Sequence, residues 1–148
     1  MAVGMDLTIR KTLHVDAPVE RAFEVFTDGV AAWWPFDTHS IEGKAKPELQ
    51  LEWREGGVNG ELVDGELKAW YDVLAYEPPS RVLLRWRVNP ERPPTQVEVT
   101  FVSDGAGTRV ELTHSGWEAY GEEEGGGYDG YNSGWDKVLG HYVESFSR

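Results

Sequence analysis

Residues 135–146, Trp135-Asp136-Lys137-Val138-Leu139-Gly140-His141-Tyr142-Val143-Glu144-Ser145-Phe146, decide how the rest of the chain is read. Trp135, Val138, Leu139, Tyr142, Val143 and Phe146 share one side of an α-helix, while Lys137, Gly140 and Glu144 lie opposite. A helix with a single apolar face needs a surface to cover. The segments before it supply one, because they alternate with period two. Val110, Leu112 and His114 share a phase opposite Arg109, Glu111 and Thr113; Val97, Val99 and Phe101 share another; Val82, Leu84, Trp86 and Val88 face away from Arg81, Arg85 and Arg87.

Further upstream, residues 66–77 form a long β run that ends at Pro78-Pro79, and Asp64-Gly65 is a hairpin turn joining it to a weaker strand over 58–63. Leu49, Leu51 and Trp53 alternate with charged and polar residues before the Glu55-Gly56-Gly57 turn. Residues 7–15 read as a first strand with Lys11 as a polar intruder. Pro18 opens a short helix through Val19, Ala22, Phe23 and Phe26, capped by Asp16 or Ala17, with Gly29 just past its end. Trp33-Trp34-Pro35-Phe36 is read as a second short helix or a loop capping one end of the sheet. The expected architecture is α+β: a curved antiparallel meander of six or seven strands around the C-terminal helix, in a single domain over 1–148 with residues 1–5 disordered. One helix about 10 Å wide cannot cover a broad curved sheet, so the space between them is either filled by large side chains or open to a ligand.

Composition narrows the function. Fourteen Lys and Arg against 26 Asp and Glu give a formal charge of -12, which disfavours nucleic acid and anionic membranes as partners. Half of that charge lies in Glu118–Asp136, which holds six acids and no base. Gly116–Gly134 shows no periodicity and is expected to be an acidic loop, either a solvated connection or a gate at the mouth of the interior. The chain has no cysteine, so disulfides, thiolate nucleophiles and zinc ribbons are excluded. The N-terminus has no basic and apolar leader, and the cytoplasm is the expected location. His14, His39, His114 and His141 are scattered, no calcium-loop register occurs among the acids, and Ser115 beside His114 points to the opposite face of a strand; no metal and no cofactor are expected.

Several strings, taken in order, resemble the START-like or Bet v 1-like (SRPBCC) superfamily with its helix-grip fold, and within it the activator of Hsp90 ATPase homologue 1-like (AHSA1-like) family. They are Ala17-Pro18-Val19 with Phe23 and Phe26, Trp33-Trp34-Pro35 with His39-Ser40-Ile41, Arg54-Glu55-Gly56-Gly57, Tyr76-Glu77-Pro78-Pro79-Ser80-Arg81-Val82 with Trp86, Gly107 to His114, and Gly134-Trp135. The resemblance implies a cavity fold that often binds a hydrophobic small molecule and has no universal catalytic residues. It does not imply a co-chaperone, because the Hsp90-activating protein has a second domain that makes major contacts; Hsp90 is not expected as a partner.

Eighteen aromatics, seven of them Trp, need a wide core or a pocket to line. The residues expected around a ligand are Trp34, Trp53, Tyr71, Trp86, Val99, Phe101, His114, Trp117, Tyr131, Trp135 and Leu139. His114, on the inward phase, is read three ways: a structural histidine, a ligand contact, or a general acid or base. The leading expectation is non-catalytic binding of a small, largely apolar or amphipathic molecule. The alternatives are a cyclase, hydrolase or isomerase using His114, and a protein-interaction or stress/co-chaperone-like role of the acidic stretch 118–136 through Glu122, Glu123 and Glu124. A homodimer is left open.

Overall fold

The computed structural model describes residues 8–34, 48–87, 94–116 and 125–146, the last stretch with side chains from 134 onward. Seven antiparallel strands form one sheet: β1 Ile9–Val15, β2 Glu48–Gln50, β3 Val58–Val63, β4 Glu66–Glu77, β5 Arg81–Trp86, β6 Thr95–Asp104 and β7 Gly107–Ser115. Their order is β1-β7-β6-β5-β4-β3-β2, so the meander from β2 to β7 is extended at one edge by the first strand. The expected inward phases of β5, β6 and β7 are all buried, His114 included. On the outer face Arg85 and Arg87 both clasp Asp72, and Arg81 pairs with Glu98 at 2.6 Å. The Arg87 hydrogen bond holds the Asp72 carboxyl below the ordinary carboxylate range.

The hairpin turn follows from chemistry: Asp64 and Gly65 have φ of 52° and 80°, the left-handed pair of a type I′ turn. The long strand β4 is less regular than its alternation suggests. Asn59 pairs with Tyr71 but Gly60 with Ala69, so the β3–β4 register skips Trp70, which forms a bulge; a second skip leaves out Leu74. Strict period two would send Trp70 and Tyr71 to opposite faces. The bulge buries both. Gly60 permits it by close approach, since a Cβ there would overlap the Lys68 carbonyl oxygen and Ala69 Cα.

Helix α1, Val19–Phe26, buries Ala22, Phe23 and Phe26, and both phenylalanines meet Phe101 of β6 edge-on at 5.2 and 5.6 Å. Its N-cap is Pro18, not Asp16 or Ala17, and no side chain caps it. A 3-10 turn over Val30–Ala32 leads into Trp33. Trp33 is buried in the core, where its indole N–H donates to the Val25 carbonyl at 2.7 Å, so it is a core residue rather than a lid on the sheet's end. Pro35, Phe36 and Val88 lie outside the described residues. Strand β2 stops at Gln50, and residues 51–53 continue without regular structure.

Helix α2 spans Gly125–Ser145. Trp135, Val138, Leu139 and Tyr142 are buried, as the apolar face requires, whereas Val143 at its margin is 37% exposed. The Tyr142 hydroxyl donates to the Ala22 carbonyl at 2.7 Å and ties α2 to α1. The helix begins ten residues before the expected start, which overturns the loop reading for 125–134. Each glycine in that stretch costs helix about 1 kcal/mol relative to alanine, so local preference argued for a loop. Helices in folded chains persist through their tertiary setting rather than through propensity. Residues 118–124 lie outside the described residues.

Candidate functional site

Four tryptophans and a tyrosine meet where the concave face of β4–β6 is roofed by α2 and the 3-10 turn. Trp34 is half-buried at the centre of this group. It stacks on Trp70 with centroids 6.1 Å apart and planes 23° from parallel, and also meets Trp86 at 6.5 Å and Trp135 edge-on at 6.3 Å. Tyr71 stacks on Trp86 at 5.2 Å and 16°. The void between these rings is about 20 Å³, walled otherwise by Phe26, Val30, Trp33, Leu84 and Val97. That is room for one water molecule and no more. At this point between the sheet and α2 the space is filled by aromatic side chains.

Three of the rings are pinned by buried hydrogen bonds. The Trp135 indole N–H donates to His114 Nδ1 at 3.0 Å. An indole can only donate, so Nδ1 carries the lone pair, and the neutral imidazole places its proton on Nε2, 2.6 Å from Thr95 Oγ1. His114 is fully buried, and desolvation lowers its pKa from 6.5 to about 3, so it is neutral at physiological pH. On the other side, the Trp70 indole N–H donates to Glu61 Oε2 at 2.9 Å, and Glu61 is also fully buried. Between them the Asn59 amide donates to the Tyr71 hydroxyl at 3.3 Å. Burial pushes the Tyr71 pKa well above its ordinary value, so the phenol keeps its proton.

Of the residues expected around a ligand, Trp34, Tyr71, Trp86 and Trp135 line the void. His114 stands one ring behind it, 6.0 Å from both Trp86 and Trp135. Trp53 packs on the side of Tyr71 and Tyr76 at 5.8 and 6.3 Å. Val99, Phe101 and Leu139 belong to the surrounding core rather than to the lining. Trp117 and Tyr131 lie outside what is described. Sequence reading missed Trp70 and Glu61. The adjacency of Trp70 and Tyr71 was the available signal for Trp70, since two large rings in succession cannot both be buried without a bulge. Glu61 had no signal, because an acid in a weak strand reads as solvated.

Among the described residues no group of three His, Asp or Glu is placed to hold a metal. No helix among them is long and apolar enough to cross a membrane.

A seven-stranded antiparallel sheet gripping a C-terminal helix over an aromatic interior defines a helix-grip protein of the Bet v 1-like superfamily. The chain belongs to the AHSA1-like family: the profile described as "Activator of Hsp90 ATPase homolog 1-like protein" matches residues 16–144. Among solved structures it is similar to CalC from Micromonospora echinospora, described as a self-sacrificing resistance protein, with TM-score 0.73 and 24% identity over 95% of this chain and 94% of that one. DynU16, a protein of the dynemicin biosynthetic locus, superposes with TM-score 0.70 and 23% identity over 96% of this chain; the chain spans 48% of DynU16's length. Txn09, described as an anthrahydroquino-γ-pyrone synthase, shares 37% identity over 72% of this chain and 75% of its own, with TM-score 0.54. No curated protein matches the sequence.

Proposed function

We propose that the chain binds a flat, uncharged, largely apolar ring molecule between the sheet and α2, without reacting with it, and that the guest takes the place of Trp34. The observation that carries this reading is Trp34 itself, a half-buried bicyclic ring stacked on Trp70 and bounded by Trp86 and Trp135. A void of about 20 Å³ admits no ring unless a side chain leaves, and the least buried of the five tryptophans that wall it is Trp34. The description of Txn09 as an anthrahydroquino-γ-pyrone synthase names a product of the same flat, fused-ring chemistry.

Displacing Trp34 reduces the apparent affinity by the fraction of molecules in which it is already out. Trp34→Ala is therefore expected to bind a three-ring compound such as anthraquinone about tenfold more tightly than the wild type. It should also take up free indole, as truncated apolar cores take up small rings. Tryptophan quenching and native mass spectrometry report both. The reading fails if neither protein is quenched by, or carries, any of a panel of fused-ring compounds.

A second reading, a cyclising enzyme in the same place, is favoured by the 37% identity to a synthase. His114 suits it poorly as a base, since a pKa of about 3 lies far from neutrality and Nδ1 already accepts the Trp135 proton. If an assay on aromatic ring-closure precursors finds turnover, His114→Ala is expected to leave it above one tenth of wild type; loss of several orders of magnitude would restore His114 as the acid or base.

A further inference from the structure

Two buried hydrogen-bond donors, one on a ring that lines the void and one on the ring packed against it, have no acceptor among the described residues. The Trp53 indole nitrogen is buried with no hydrogen-bond partner among the described residues. The second donor emerges from a short chain of bonds. The Glu52 backbone N–H donates to Asn59 Oδ1 at 2.6 Å. A backbone N–H can only donate, so this contact settles which end of the amide is oxygen, and Asn59 must present its NH2 group to Tyr71. The Tyr71 oxygen is thus the acceptor in that bond. Its own proton, which burial keeps in place, is directed to no other described residue. Trp53 and Tyr71 are neighbouring rings, 5.8 Å apart, and Tyr71 lines the void.

Buried donors without acceptors are rare because leaving them unmade is costly. Resting on the ligand reading above, we infer that Tyr71 and Trp53 are specificity-determining residues that donate their O–H and N–H to carbonyl oxygen of the guest, as in a quinone, ketone or pyrone. The acceptor must be neutral. Both donors are uncharged and the walls are apolar. A ring hydrocarbon of the same shape leaves both donors unmet, so the pair distinguishes guests by their oxygen and not by their size.

Anthraquinone and anthracene share a three-ring skeleton and differ in the carbonyls. In titrations of the full chain followed by tryptophan emission, the wild type is expected to favour anthraquinone roughly tenfold to a hundredfold. Tyr71→Phe and Trp53→Phe should each lose most of that preference. In nitrogen–proton correlation spectra of the wild type, the Trp53 indole signal, assigned by its absence from Trp53→Phe, should move downfield with anthraquinone only. These spectra decide the matter even if a variant does not fold. Equal binding of the two compounds by the wild type, or a preference retained in both variants, would overturn the donor pair and leave the ligand reading standing. Binding of neither compound would overturn the ligand reading and this inference with it.

Discussion

Relative to His114→Gln, the wild-type chain is expected to lose about 3 kcal/mol of stability between pH 7 and pH 4. Burial holds the folded imidazole near pKa 3, against 6.5 for the exposed group. Between those values the unfolded chain takes up a proton that the folded chain refuses. The contribution is therefore fully present above about pH 6.5 and falls by about 1.4 kcal/mol per pH unit until about pH 3. Glutamine keeps one donor and one acceptor for Thr95 and Trp135 but does not titrate. Carboxylates such as Asp72 titrate alike in both proteins, so the difference isolates position 114. Urea midpoints measured from pH 7 to pH 4 check it, and parallel curves for the two proteins would contradict a buried neutral His114.

Trp135→Ala is expected to cost about 3–5 kcal/mol, the range for deleting a large buried aromatic. Trp135 is 3% exposed and meets Trp34, Trp86 and His114, so its loss opens a hole at the point where α2 is anchored to the sheet. It also removes the N–H that pairs with His114 Nδ1. Trp135→Phe separates the two effects: most of the ring stays, and the missing hydrogen bond costs about 1–3 kcal/mol. Because the two residues share that bond, Trp135→Phe combined with His114→Gln should cost less than the sum of the single changes. Denaturant unfolding of the four proteins tests this. A Trp135→Ala protein within 1 kcal/mol of wild type would show that the ring does not hold the helix down.

Both expectations join residues whose faces were readable beforehand to contacts that were not. His114 was placed inward by its phase with Val110 and Leu112, and Trp135 by its phase with Val138, Leu139 and Tyr142. That one donates to the other was not legible, because the pairing depends on how α2 lies across the sheet. The Trp70 bulge was hidden for a similar reason: a register skip belongs to two strands, and β4 alone reads as an unbroken run. The early start of α2 was missed because glycine-rich sequence favours a loop wherever only local preference is weighed.

What the sequence determined by itself was the order of the elements, the inward faces of β5–β7 and of the second half of α2, the Asp64-Gly65 turn and the aromatic load of the interior. These follow from periods of 2 and 3.6 residues and from turn chemistry, which act between near neighbours in the chain. Only the tertiary structure decided that the rings leave about 20 Å³ between them, that Glu61 is buried under Trp70, and that Tyr71 and Trp53 keep donors to spare. Packing volume and hydrogen-bond partnership are properties of atoms brought together from distant parts of the chain. Glu52, Asn59 and Tyr71 acquire their shared roles only when three segments meet.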